Sequence, residues 1–210
     1  MTRHPETLEN RVESPLCRKY YKHILAGDLL VKQPYTSIME LPRLEKIVLN
    51  TTSKTFALDK KNVIPAQIAL ELLSGQRAAT TRAAKSIATF KIRQDQILGA
   101  RVTLRREPMA TFLYKLIHTV LPRVGDLETL GAKRRNTLLR PGQRRPARTD
   151  LSRGIENWMV FPELQHHFEL FETLRGLQFT MVFKTPRLGD FELLTTALQL
   201  PIKGTSKNAM

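Results

Sequence analysis

Acidic residues are scarce in this chain and cysteine is nearly absent. Against 34 Lys and Arg stand only 19 Asp and Glu, which leaves a formal net charge of +15 and a pI near 10.4. The single cysteine, Cys17, excludes an internal disulfide framework and any multi-cysteine zinc site. It reads as a small, partly buried apolar residue. No apolar run reaches the roughly 18 residues that a membrane-spanning helix requires. The opening "MTRHPETLENRVES" has no apolar signal core, and its Glu6, Glu9 and Glu13 are unlike an acid-poor transit peptide. The catalytic signatures are missing too. There is no GxxxxGK[ST] phosphate loop, no GxGxxG and no HExxH. Adjacent His166 and His167 point in different directions and share no ligand face. Acids and histidines do not cluster at acid–base spacing, so no catalytic residue, metal site or cofactor is expected.

What is present is positive charge. Excess charge of one sign destabilises a compact chain by self-repulsion, and a polyanion relieves it. Nucleic acid is the first candidate partner and an anionic membrane surface the second. A peripheral membrane protein needs an apolar anchor beside the charge, and Leu138 with Leu139 is thin support. An RNA-processing enzyme with a basic clamp remains the alternative to a pure RNA binder; it would need clustered acidic metal ligands, and none are clustered.

With 210 residues the chain is long enough for one domain with a proper core plus arms. The stretch "KSIATFKIRQDQILGARVTLR", residues 85–105, carries the clearest pattern. Read two by two, Lys91 and Arg93 fall on one side with Ile87 and Thr89, while Ala88, Phe90 and Ile92 share the other. After a polar turn, Arg101, Thr103 and Arg105 lie on one side, with Ala100, Val102 and Leu104 on the other. A period of two predicts a pair of strands with one apolar and one cationic face. Further strands are expected over 42–50, 157–164 and 178–185, the last with Phe179, Met181 and Phe183 on one face. Helices are expected over 6–30, with Leu16, Tyr20, His23 and Ile24 at helical spacing and Gly27 as the stop. A second helix is expected over 59–73, on the spacing of Ile64, Ile68 and Leu72. A third begins at Pro108 and ends at Pro122, and a last short one covers 188–198. Residues 75–86 read as a polar, basic loop. Residues 131–148, "GAKRRNTLLRPGQRRPAR", hold seven basic residues and no acid, and read as a flexible cationic arm rather than an element.

The pattern is α+β: one sheet with helices packed on one face, plus a basic flexible arm. The expected organisation is an N-terminal helical segment (1–34), a main domain (35–202) and a short tail (203–210). The cationic face offers Lys91, Arg93, Arg101, Thr103 and Arg105 to RNA; the arm offers Arg134, Arg135, Arg144 and Arg145, whose planar forks match phosphate geometry. The cationic face lacks interleaved aromatics, which points to backbone and shape recognition of structured RNA.

The segments "LPRLEKIVLN", "SGQ", "TRAAKSIATFKIRQ", "GARVTLRREPM", "FLYKLIHTVLPRVGD", "FPEL" and "RGLQFTMVFKT" follow one another as in the L5 family of large ribosomal subunit proteins. The resemblance covers residues 35–202. It implies an antiparallel sheet with helices on one side, seated in the central protuberance and bound to 5S rRNA and nearby large-subunit rRNA. It implies that Asn50, Gln76 and Thr103 contact 5S rRNA. It implies that residues 77–86, with Arg77, Thr80, Thr81, Arg82, Lys85 and Ser86, face the P-site tRNA. Another surface would meet a small-subunit protein in an intersubunit bridge, beside other proteins of the protuberance. Bacterial members usually have Gly-Glu-Arg-Met where this chain has Arg106, Glu107, Pro108 and Met109. The stretch "FPELQHHFELFETLRGLQFT" resembles mitochondrial members more than bacterial ones. The implied location is the ribosome of the mitochondrial matrix, with a bacterial or plastid ribosome as the alternative.

Overall fold

The computed structural model describes residues 19–124, 131–135, 148–185 and 188–200. Among these, β1 (Arg43–Thr52), β2 (Ala79–Arg82), β3 (Ile97–Leu104), β4 (Gly131–Arg135), β5 (Arg148–Asn157) and β6 (Arg175–Lys184) form one antiparallel sheet in the order β2-β3-β1-β6-β5-β4. The helices are α1 (Ala26–Lys32), α2 (Lys54–Leu58), α3 (Val63–Ser74), α4 (Arg106–Lys115), α5 (Pro162–Gln165), α6 (Phe168–Phe171) and α7 (Leu188–Ala197). The class is α+β, as expected. The chain gathers into two compact units: one of Met1–Ile47, Arg105–Arg153 and Thr180–Met210, the other of Val48–Leu104 and Gly154–Phe179.

In the second unit, β3 buries Ala100, Val102 and Leu104, and α2 and α3 pack against that strand. Each fully buried side chain of Leu size contributes about 2 kcal/mol. Helix α3 packs through Ala66, Ala69, Leu70 and Leu73, whose small members allow close approach. Ile64, Ile68 and Leu72, the spacing on which this helix was expected, are 54%, 44% and 44% exposed. The helix is apolar on two faces, and the sequence pattern marks both without saying which one packs. The strand expected over 157–164 lies earlier, as β5. At Asn157 the side chain accepts from the Met159 N–H at 3.0 Å and starts a tight turn, and Pro162 then opens α5. Trp158, Phe161 and Leu164 are buried at a spacing of three, which is a helical and not a strand pattern.

In the first unit, helix runs from Lys19 through α1 to Lys32. Gly27 does not stop it. A glycine within a helix costs about 1 kcal/mol, and Leu25 and Leu29, both 2% exposed, anchor the helix on either side of it. The buried stripe is this pair, whereas Tyr20, His23 and Ile24 are exposed; Leu16 lies outside the described residues. Tyr21 donates its hydroxyl to the Pro42 carbonyl at 2.6 Å, and burial holds its phenol above the ordinary range, opposed by the Arg43 charge. Helix α4 buries Phe112 and Leu113, then widens into a π turn over Leu116–Val120 and ends at Arg123. The wide turn lies just ahead of Pro122, which has no N–H to donate to the turn before it. Phe183 of β6 meets Phe191 of α7 edge to face, with centroids 5.4 Å apart.

Candidate RNA interface

The outward row on β3 is as expected. Arg101 and Thr103 are exposed between buried Ala100, Val102 and Leu104, and the backbone stays extended through Arg105, which is exposed in turn. On the neighbouring strand β1, Ile47, Leu49 and Thr51 are buried, and half-buried Asn50 belongs to the alternate set. Gly99 permits the close approach of these strands: a Cβ there would collide with the Thr51 carbonyl and come within 2.9 Å of the Thr52 hydroxyl.

The partner of β3 is not the stretch expected to pair with it. Residues 79–82, expected in a loop, form β2 and pair antiparallel with β3, Ala79 opposite Arg101, Thr80 opposite Ala100 and Thr81 opposite Gly99. The register shifts before Arg82, which lies opposite Ile97. Directly opposed residues share a face, so Ala79 and Thr81 lie with Arg101, and Thr80 lies on the helix side. The short polar sequence of β2 has no strand period of its own; the ladder offered by β3 decides its conformation.

The strand expected over residues 85–93 is instead an excursion between β2 and β3. Its base is closed by Ala83, whose N–H donates to the Gln96 carbonyl at 2.9 Å and whose carbonyl accepts from Asp95 N–H at 3.0 Å. Ile87 and Ile92 exchange two backbone bonds of 2.9 and 3.1 Å, and the tip turns through Ala88–Phe90 to Lys91 at φ 54. Lys91 and Arg93 are therefore on the excursion and not on the sheet face, with Lys85 and Ser86; all four are exposed. Gln96 ties the base down: its amide donates to the Ala57 carbonyl at 2.5 Å and its Oε1 accepts from Arg93 N–H at 2.9 Å. Phe90, expected on an apolar face, is 70% exposed at the tip. The aromatic face that the alternation had seemed to hide is thus in solvent.

Gln76 follows α3 at a built corner. Gly75 takes φ 63, the left-handed region that favours glycine. The Ser74 hydroxyl donates to the Gln76 carbonyl at 3.0 Å and accepts from its N–H at 3.2 Å. Ser74 is thus a positioning residue that the sequence pattern did not single out. Arg82 is exposed at the end of β2 and Arg77 two residues ahead of its start, and Thr80 and Thr81 are half-buried within the strand. Within the basic stretch 131–148, expected to be an arm, residues 131–135 are β4, paired with β5 from Gly131 opposite Ser152 to Arg135 opposite Arg148, and residues 136–147 lie outside the described residues. Arg134 and Arg135 are therefore strand residues. Arg148 meets Glu45 at 3.1 Å. Arg144 and Arg145 lie outside the described residues. Arg106, where the bacterial pattern has glycine, takes φ 56. Helix α4 thus starts on a left-handed arginine, at a cost of about 1 kcal/mol.

A family model described as ribosomal protein L5 matches residues 37–93, and one described as the ribosomal L5P family C-terminus matches residues 97–202. The large ribosomal subunit protein uL5m of Prototheca wickerhamii is 41% identical over 195 residues, covering 88% of this chain and 82% of that protein. The large ribosomal subunit protein uL5 of Neisseria gonorrhoeae is 35% identical over 187 residues, covering 89% of this chain and 98% of that protein. Its namesake in Borreliella burgdorferi is 38% identical over 168 residues, covering 80% and 86%. The chain is a structural constituent of the large ribosomal subunit and serves translation, in a class of structural proteins and not of enzymes. Within that class it belongs to the ribosomal protein L5 family.

Proposed function

We propose that this chain holds 5S rRNA and adjacent large-subunit rRNA in the central protuberance through Asn50, Gln76, Arg101 and Thr103. Arg105 and the arm residues Arg134, Arg135, Arg144 and Arg145 add phosphate contacts of their own. The excursion presents Lys85, Ser86, Lys91 and Arg93 to the P-site tRNA, with Arg77, Thr80, Thr81 and Arg82 at its root. A further surface joins a small-subunit protein and other proteins of the protuberance. The 41% identity to a protein named uL5m favours a mitochondrial ribosome.

The observation that carries this reading is the row on β3. Two exposed cationic or hydroxyl side chains alternate with three buried apolar ones, with no acid among residues 97–105. Guanidinium groups neutralise phosphates, and a threonine hydroxyl adds a short donor or acceptor between them. The test is a salt titration of binding to 5S rRNA or its organellar equivalent. Arg101→Gln with Arg105→Gln should lower the slope of log K against log salt by about 1.5, at roughly 0.7 to 0.9 per phosphate contact. Thr103→Val should weaken binding without moving that slope. A double variant with the parent's slope would show the row to be a solvated face.

A further inference from the structure

The sheet ends at β2, and the outer edge of that strand borders an open groove of about 560 Å³. Its lining includes Ile64 and Ile68 of α3 on one side and Arg77 and Thr80 on the other. Ala83 turns both its backbone groups inward, towards Gln96 and Asp95. The extra residue at the register shift belongs to β3, so β2 keeps its alternation: the N–H and C=O of Thr80 and Arg82 point outward. The next outward donor, Ala78 N–H, is already capped by Glu71 Oε1 at 3.0 Å. The edge is thus closed at one end and open along the rest, beside a mixed helix face of Ile64, Gln67, Ile68 and Glu71 on which the two isoleucines stand exposed.

We propose that this edge accepts an extended segment of a partner protein as a further strand. Its backbone pairs with Thr80 and Arg82, an apolar side chain enters between Ile64 and Ile68, and acidic residues at its two ends meet exposed Arg77 and Arg82. The charge of the edge selects an acidic-ended strand. RNA fits the groove poorly, because Ile64, Ile68 and Glu71 line its helix side and offer a phosphate backbone no counter-charge there. A second copy of the chain fits poorly as well: a four-residue strand and one short groove fall well below the roughly 1,200 Å² that a stable interface buries. A segment of a protein held elsewhere on the particle needs no such area. The proposal leaves the excursion itself to tRNA and assigns the outward backbone of Thr80 and Arg82, at its root, to protein: Thr80 opposes Ala100 on the helix side of the sheet and not on the side of Arg101.

The test places p-benzoylphenylalanine at Ile68 in the full chain, assembled into large ribosomal subunits and irradiated. The expected product is a crosslink to one segment of one other protein, with alternating apolar residues and flanking acids. Thr80→Pro removes an outward donor, and Ile64→Glu places charge in the groove. Each should cut the crosslink yield about tenfold, while melting and 5S rRNA binding of the isolated chain stay as in the parent. If Thr80→Pro lowers the melting temperature, Ile64→Glu decides alone, because its parent side chain is 54% exposed. Crosslinks to RNA, crosslinks to a second copy, no crosslink, or a yield indifferent to Ile64→Glu would each overturn the proposal.

Discussion

Residues 88–93 and 100–105 alternate alike in sequence, with apolar residues at every second position and Lys, Arg or Thr between them. One of them is a strand inside the sheet, with β2 on one side and β1 on the other; its apolar set is buried to 4% exposure or less. The other closes on itself through a single pair, Ile87 and Ile92, and leaves Phe90 in solvent. The difference is in the neighbours. Alternation fits a chain for a half-buried pleated surface, but it becomes a strand only where a ladder and a packing layer meet it. Residues 79–82 reach the edge of β3 in antiparallel register, leaving residues 85–93 to close the connection.

The comparison is broken most directly at the buried faces. Leu104→Ala should cost about 3 kcal/mol in chemical denaturation, as a fully buried leucine does. Phe90→Ala should stay within about 0.5 kcal/mol. Equal costs would mean that the excursion packs like the strand. Gly99→Ala should cost about 2 kcal/mol, since the new methyl meets the Thr51 carbonyl and the backbone must shift; a neutral result would argue against the close approach of β1 and β3. Function should divide the same way. Lys85→Ala with Lys91→Ala should leave 5S rRNA binding and subunit assembly as in the parent. P-site tRNA retention should weaken, its salt slope falling by about 1.5 for two phosphate contacts. Particles that hold tRNA normally would remove the excursion from that role. The one stabilising change is Arg106→Gly, which relieves a left-handed arginine and should raise stability by about 1 kcal/mol in the same denaturation experiment.

Much of the local structure was legible from residue order alone. The outward set on β3 and the buried Phe179, Met181 and Phe183 of β6 follow from a period of two. The end of α3 at Gly75 follows from the left-handed turn that only glycine adopts freely. The α+β class and the cationic charge needed no coordinates either. These are local properties: a turn, a period or a cap depends on residues within reach of one another along the chain. Tertiary structure decided the rest. It made strands of residues 79–82 and 131–135, which carry no strand pattern. It buried Leu25 and Leu29 where Ile24 had looked equally apolar, and it chose which of two apolar faces of α3 to cover. It carried Lys91 and Arg93 off the sheet and set Phe90 at an exposed tip. Each of these outcomes depends on a partner distant in sequence, whose ladder or packing surface outweighs local preferences worth at most about 1 kcal/mol.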